Sequence, residues 1–232
     1  MKRSLLLSGV MVLLLFSLAA CNRKGPVSVS ESFGTSTKDV AVFRDLAVQD
    51  VMIDDFDTSK YDKDEYLSYL QEDIDAYNST ATFVPQTAAE GEEETFTPHY
   101  TVPVSVASCT AEENKINQQI LYATAADFTA FNEEALEERG GHTLQAGTLP
   151  FADASVTGAA LVDPDSKNGE NLDVQDILTG RHADDYRFVI CNFDAVLYVE
   201  GEIEGYTSNA AVDLEKNCVT VPAGETVIVV FR

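Results

Sequence analysis

The chain has 232 residues, with 39 acidic and 15 basic side chains and a formal net charge of −24 at pH 7. A field of this sign repels phosphate groups, which argues against nucleic acid as a partner. The hydrophobic residues, 45% of the total, are enough to build one core in a domain of ordinary size.

The first 21 residues predict export. Lys2 and Arg3 precede an apolar run that ends at Phe16, and small residues follow. This run is too short and wrongly flanked for a stable membrane span, and its order is that of a signal peptide over residues 1–20. Removal of that peptide takes away two basic residues and no acidic one, so the formal charge falls from −24 to −26.

The segment Leu18-Ala19-Ala20-Cys21 resembles the lipobox of bacterial lipoproteins. The resemblance implies that the Cys21 thiol receives a diacylglyceryl group and that the signal is cleaved just before it. The implied partner is then the membrane, and the implied location is its extracytoplasmic face. Two acyl chains of the palmitate kind anchor stably, because each buried CH₂ contributes about 0.8 kcal/mol. An ordinary cleavage site followed by an incidental cysteine is the alternative.

Residues 21–38 are predicted to be the lipidated cysteine and a flexible tether, and residues 39–232 a single domain. The tether is rich in Ser, Thr, Gly and Lys and has no helical periodicity. Two short strands are predicted next, at Val40–Phe43 and Val48–Ile53, because both runs are apolar and β-branched.

A helix is predicted over Asp62–Asn78. Asp62 and Glu65 form a capping signal at its start, and Asn78-Ser79 ends it. The expected buried face follows a 3.6-residue period. It consists of Leu67, Leu70, Ile74 and Tyr77.

The middle of the chain predicts an exposed acidic loop, two strands and a second helix. The loop covers residues 86–99 and contains Glu90-Gly91-Glu92-Glu93-Glu94. The strands are Thr101–Ala107, which Pro103 restricts to an edge or a first position, and Ile116–Tyr122. The helix begins at Thr124, carries an apolar stripe and stops at Gly140-Gly141. The stripe comprises Phe128, Phe131, Ala135 and Leu136.

The last third predicts a short helix at Asp173–Leu178 and then strands joined by short turns. The strands are Arg187–Cys191, Ala195–Val199, Ala210–Leu214, Cys218–Val221 and Thr226–Phe231. Because helices precede most strands, the predicted class is α+β. The expected architecture is one compact domain with two main helices and a C-terminal antiparallel β-meander or roll.

Scattered segments of the domain resemble a family of uncharacterised Gram-positive lipoproteins. An acidic start leads into a helix ending near Tyr-Asn, an Asp-aromatic-x-x-Phe-Asn segment follows, and the chain closes on an apolar strand with a basic end. The segments are Asp57–Glu65, Asp75–Asn78, Thr124–Asn132 and Val229–Arg232. The acidic loop at 86–94 and the stretch 133–142 depart from the family pattern. The resemblance brings no catalytic residue with it.

Cys109, Cys191 and Cys218 remain once Cys21 is assigned to lipid. In an exported chain they allow one disulfide and a free thiol, and three buried reduced cysteines are the alternative. Cys191 lies in an apolar strand, where burial makes a thiol inert.

Two acidic stretches partly match the pattern of a calcium-binding loop. The run from Asp55 fails because Lys60 and Tyr66 occupy the positions of the required Gly and Glu. In the second stretch Lys167 displaces Asn168-Gly169 by one place, which favours a surface turn over a calcium site. The weak candidate ligands there are Asp163, Asp165 and Asp173. We predict no high-affinity calcium site and no cofactor.

The sequence therefore predicts a lipid-anchored surface protein with a binding or structural role. The ligand, a protein, peptide or glycan, is not specified. The motifs G-x-S-x-G, H-E-x-x-H and C-x-x-C are absent from the sequence, which disfavours an enzyme. A cell-envelope enzyme such as a hydrolase is the alternative, and a deep pocket with perturbed titratable groups would favour it. A solute-binding transporter component fits poorly, because such proteins are built of βαβ lobes.

Overall fold

The structure, a computed structural model, describes residues 29–84, 98–166 and 170–232. Within them it has five α-helices and thirteen strands. The helices are α1 Lys63–Thr80, α2 Ala125–Phe131, α3 Glu133–Glu138, α4 Ala154–Thr157 and α5 Val174–Thr179. The strands are β1 Asp39–Val42, β2 Val48–Asp55, β3 Val104–Glu112, β4 Lys115–Tyr122, β5 Leu144–Thr148, β6 Leu161–Val162, β7 Asn171–Leu172, β8 Arg187–Cys191, β9 Ala195–Val199, β10 Ile203–Thr207, β11 Ala211–Asp213, β12 Cys218–Val221 and β13 Val227–Phe231.

The strands form two sheets. Sheet A has seven strands in the order β11-β12-β9-β1-β2-β4-β3, and sheet B has six in the order β5-β8-β13-β10-β6-β7. In sheet A, β1 pairs parallel with β9 and antiparallel with β2. The first strand of the domain is therefore held between its second strand and one from the C-terminal third.

The two sheets share one hydrophobic core. Val40, Val48 and Leu197 contribute to it from sheet A, and Val189 and Val229 from sheet B. The helices α1, α2 and α3 add the side chains Ile74, Phe128 and Leu136. Smaller apolar clusters cover the outer face of each sheet. Helices and strands thus combine in one compact fold, as the α+β class predicts.

The predicted C-terminal meander is wrong. The five predicted strands exist, as β8, β9, β11, β12 and β13, but they are divided between the sheets. β9, β11 and β12 belong to sheet A, whereas β8 and β13 belong to sheet B. A further strand, β10, was not predicted and separates β9 from β11 along the chain. The prediction of two main helices is also wrong, because the second predicted helix is two short ones, α2 and α3.

The first predicted helix is confirmed as α1. The Asp62 carboxylate accepts hydrogen bonds from the backbone N–H groups of Asp64 and Glu65, which satisfies two donors of the first turn. The expected face is only partly buried: Ile74 is fully enclosed, whereas Leu70 and Tyr77 are half-buried against the core.

The strand predicted at 101–107 begins and ends later, as β3. Pro103 precedes the strand, and β3 forms one edge of sheet A, which confirms the position expected for that proline. Val102 therefore lies outside the strand and is exposed. The strand predicted at 116–122 is confirmed as β4.

Residues 29–38, which the sequence assigns to the tether, pack on the domain. Val29 and Phe33 contact the apolar cluster on the outer face of sheet A, and the Phe33 ring meets Tyr198 edge-on with 5.6 Å between ring centroids. The folded part therefore includes these residues. Among the described residues, the structure has no helix that is both long and apolar enough to cross a bilayer.

Candidate functional site

The inner face of sheet A carries a buried carboxylate, Asp50 in β2. Asp50 pairs with Val40 in β1 and with Ile120 in β4, and both neighbours face the core. Because side chains alternate along a strand, Asp50 faces the core with them. Only 3% of Asp50 is exposed.

Tyr122 donates a hydrogen bond to Asp50. In the antiparallel pairing Tyr122 stands opposite Val48, so it lies diagonally across from Asp50 on the same face. The Tyr122 hydroxyl is 3.2 Å from Asp50 Oδ1. It in turn accepts a hydrogen bond from Asn132 Nδ2 at 2.8 Å. The three side chains form a directional chain of hydrogen bonds that ends on the carboxylate.

Asn132 reaches Tyr122 because the helix breaks there. Asn132 is the C-cap residue of α2 and the N-cap residue of α3, and its backbone N–H donates a hydrogen bond to the Phe128 carbonyl. Its side chain turns inward, is 9% exposed and also donates to that carbonyl at 3.0 Å. In the single helix that the sequence predicts, Asn132 would be an interior helical residue and not a cap.

Arg139 is positioned by the end of α3. Gly140 has φ +81°, and the N–H groups of Gly140 and Gly141 bond to the carbonyls of Glu137 and Leu136. This is the glycine-terminated arrangement that the sequence predicts at Gly140-Gly141.

The Arg139 guanidinium is occupied by carbonyl oxygens and an aromatic ring. Its Nε donates to the Asp194 carbonyl at 3.0 Å and its Nη2 to the Lys38 carbonyl at 3.2 Å. The Arg139 Cζ lies 4.7 Å from the centroid of the Phe193 ring. The charge is thus held beside Asp50 but is directed at backbone oxygens.

A second pair of charged side chains, Lys38 and Asp194, lies near Arg139. Lys38 Nζ forms an ion pair with the Asp194 carboxylate. Next to it the buried Asp39 accepts three backbone N–H groups, from Gly34, Thr35 and Ser36, at 3.0–3.1 Å. These contacts fix the backbone just before β1, in the segment to which Lys38 belongs.

These groups surround a cleft of about 370 Å³, which we call the Asp50 cleft. Its lining includes Asp50, Asn132, Arg139, Lys38 and Asp194, together with apolar and rim residues from β2 and α3. The latter are Val51, Met52, Ile53, Asp54, Ala135, Leu136 and Glu138. A volume of this order holds a small ligand.

Asp50 is part of the lining of this cleft, and its carboxylate is only partly compensated. Oδ1 accepts a hydrogen bond from Tyr122, and a contact with the backbone N–H of Asp50 itself also favours the charged form. A donor brought by a molecule in the cleft would therefore add to the compensation of this buried carboxylate.

Burial dominates the titration of this site. It raises the pKa of Asp50 to about 7, against the opposing effects of the Tyr122 hydrogen bond and the Arg139 charge. Burial also raises the pKa of Tyr122 far above its usual range and lowers that of Arg139. Asp50 therefore exchanges its proton near neutral pH, while Tyr122 remains a hydrogen-bond donor.

A larger groove, of about 740 Å³, runs between α2, α3 and β5. Its lining includes Ala126, Thr129, Glu133, Glu137 and His142. The two glutamates and the histidine are exposed, so none of the three is desolvated in the way that Asp50 is. The Asp50 cleft is the better candidate site.

The three cysteines predicted for the domain are free thiols in separate strands. Cys109 lies in β3, Cys191 in β8 and Cys218 in β12, and no disulfide joins them. Cys191 and Cys218 are buried, whereas Cys109 is half-buried. Burial raises the pKa of Cys191 to about 12, which makes its thiol unreactive. Cys21 lies outside the described residues.

The weak metal candidates stabilise local backbone. Asp163 Oδ1 accepts from the Asp165 backbone N–H at 2.8 Å, and Asp173 caps α5 through the Gln175 and Asp176 N–H groups. These are turn and cap contacts. Residues 167–169, between them, lie outside the described part. Within the described ranges no group of three or more His, Cys, Asp or Glu side chains could hold a metal ion.

The histidines stand apart from the cleft lining. His99 stacks on Phe43 with 4.1 Å between ring centroids, and its Nδ1 is 3.0 Å from Asp45 Oδ2. That hydrogen bond raises the pKa of His99. His99 ends the predicted acidic loop, of which residues 86–97 lie outside the described part. His182 lies 3.4 Å from its neighbour Asp185.

Sequence reasoning missed the residues of the Asp50 cleft. One signal was present: Asp50 has the same strand parity as Val48 and Met52, so alternation places a carboxylate on the apolar face. The contributions of Tyr122, Asn132 and Arg139 depend on strand register and on a helix break, which local patterns do not give.

Comparison of the chain with protein families, with curated proteins and with solved structures finds no match. The resemblance to Gram-positive lipoproteins therefore stays a prediction.

Proposed function

We propose that the protein is a lipoprotein anchored through Cys21 at the extracytoplasmic face of the cell membrane, where it binds a small ligand in the Asp50 cleft. The signal-like order of residues 1–21 supports the anchor. The observation that carries the binding role is a buried carboxylate in the lining of a cleft, with Tyr122 as its side-chain hydrogen-bond partner. A purely structural carboxylate is stabilised by pairing both of its oxygens.

The anchor is tested by replacing Cys21 with Ser and following radiolabelled palmitate. We expect the Cys21→Ser variant to lose both the label and membrane retention. The matched control is Cys109→Ser, which changes a half-buried cysteine of β3 and keeps both properties. Equal labelling of the wild type and the Cys21→Ser variant would overturn the anchor.

The binding role is tested by thermal shift with a panel of small metabolites. A ligand of the Asp50 cleft raises the melting temperature by binding the folded state only. We expect that rise to disappear in Asp50→Asn and to persist in Asp73→Asn, which makes the same charge change on the exposed face of α1. Ligands that stabilise both variants equally would show that the site lies elsewhere.

The alternative is a cell-envelope enzyme, and the pKa of Asp50 favours it. A carboxyl that titrates near pH 7 can act as a general acid or base. In such an enzyme Asp50 would act as a general base toward water at the cleft. Product formation from a panel ligand, lost in Asp50→Asn, would favour this function over binding.

A further inference from the structure

Asp50 places a carboxylate in the lining of the cleft. Tyr122 donates a hydrogen bond to Oδ1, and the backbone N–H of Asp50 itself is a second, local partner. A buried carboxylate with these two partners is poorly compensated. A charged donor brought by a ligand would compensate it with a short, strong hydrogen bond.

The two cations beside Asp50 direct their hydrogen bonds to other acceptors. Two of the donor nitrogens of Arg139 bond to the carbonyls of Asp194 and Lys38. The Lys38 ammonium pairs with the Asp194 carboxylate. At the rim, Asp54 and Glu138 are exposed and add negative charge to a chain that is already strongly acidic. A cationic ligand is therefore favoured on approach.

Apolar side chains form part of the cleft walls. Met52, which shares the strand parity of Asp50, lines the cleft from β2, and Ala135 and Leu136 line it from α3. At about 370 Å³ the cleft is at the small end of ligand sites. The lining therefore suits a compact apolar body that carries a single polar group.

We infer that the Asp50 cleft binds a primary ammonium group on a short apolar body, with an ammonium N–H donating to the Asp50 carboxylate. This inference rests on the proposed function, because it takes the cleft as the ligand site. Two sources share this chemistry, a free alkylamine and the amino terminus of a short peptide.

The test uses the full chain purified in a non-ionic detergent, with affinity measured by calorimetric titration at about 0.15 M ionic strength. Isoamylamine represents the alkylamine, and leucine amide represents the peptide terminus. The matched controls keep the apolar body and lack the ammonium group. Isoamyl alcohol and N-acetylleucine amide are neutral, and isovalerate is anionic. Partitioning of these probes into detergent is corrected with blank titrations into detergent buffer without protein.

At least one of the two ammonium probes is expected to bind at least tenfold more tightly than every control. Asp50→Asn should lower that affinity at least tenfold, which corresponds to about 1.4 kcal/mol. Asp73→Asn should change it by less than about threefold, because an exposed distant charge is screened. A preference between isoamylamine and leucine amide identifies the source.

Four results would overturn the inference. The first is binding of the alcohol or N-acetylleucine amide as tightly as the amines, and the second is preferential binding of isovalerate. In either case, loss of that binding in Asp50→Asn would leave the cleft as a ligand site, so the proposed function would survive. The third is amine binding that Asp50→Asn leaves unchanged, which would also remove the cleft from the proposed function. Failure of every probe to bind overturns the ammonium inference alone.

Discussion

Sheet A and sheet B contribute two faces to one core, and they differ in how they treat polar side chains. The buried polar residues of the described part include none from sheet B. Sheet B contributes to this core Leu144, Ala146, Val189, Cys191, Ile203, Tyr206, Val227, Val229 and Phe231. Sheet A encloses Asp50 and Gln118 on the corresponding face. Each has a polar partner. Tyr122 donates a hydrogen bond to Asp50 and accepts one from Asn132, and the Tyr66 hydroxyl lies 2.6 Å from Gln118 Nε2.

The difference shows what helices add to a two-sheet core. Asn132 comes from the break between α2 and α3, and Tyr66 comes from α1. Helices therefore bring polar side chains to β2 and β4, whereas strand packing in sheet B brings apolar ones. A buried polar group costs less free energy where such a partner is available.

The largest expected effect comes from placing a carboxylate on the apolar sheet. Val229 is fully buried in β13. Val229→Asp should lower the free energy of unfolding by about 4 kcal/mol or more, because no polar partner compensates the new group. Urea denaturation measures this loss, and Val229→Ala controls for lost volume. If the two variants unfold within about 1 kcal/mol of each other, the contrast between the sheets is wrong.

The next effect is the pH dependence that Asp50 imparts. Its pKa is about 7 in the fold and 3.8 as a free carboxyl, so the folded state holds the proton more tightly. The contribution to stability is complete below pH about 4 and is lost as the pH rises through about 7. The groups facing it are Tyr122, Asn132 and Arg139, with Lys38, Asp39 and Asp194 beyond them.

Urea melts of the wild type and Asp50→Asn between pH 4 and pH 8 test this dependence. The Asn side chain does not titrate. As the pH rises from 4 to 8, the free energy of unfolding of Asp50→Asn should therefore increase relative to that of the wild type, by on the order of 4 kcal/mol at most. Parallel stability curves for the two proteins would show that Asp50 does not titrate in this window.

A smaller effect is expected on the helix that covers sheet A. Ile74→Ala in α1 removes a fully enclosed side chain and should cost about 2–3 kcal/mol. Leu70→Ala should cost less, because Leu70 is only half-buried. The exposed control Gln71→Ala should stay within about 0.5 kcal/mol. A Leu70 variant less stable than the Ile74 variant would contradict the observed orientation of α1.

The sequence predicts elements whose signal is local. The cap at Asp62 and the apolar period locate α1, and apolar runs locate β8, β9 and β12 with their observed bounds. The partition of those strands between two sheets is not predictable in this way, because it depends on pairing between distant segments. β10 was missed because Glu204 and Gly205 interrupt its apolar pattern.

The Asp50 cleft was less accessible to prediction than the fold. The parity of Asp50 within β2 could have indicated an inward carboxylate. Nothing in the local sequence indicates that Asn132 interrupts a helix, because Glu133–Glu138 continues with strong helix formers. The register that sets Tyr122 diagonally to Asp50 is a property of the assembled sheet.

The parallel pairing of β1 with β9 makes the completion of the fold a late event. Arg44 and Glu200, joined by a hydrogen bond beside this pair, are 156 residues apart in sequence. Closing so long a loop is entropically costly and slows folding. A chain that is synthesised, or crosses a membrane, from its amino terminus exposes one edge of β1 until β9 arrives. That unpaired edge is the surface on which a holding chaperone or a second nascent chain would act first.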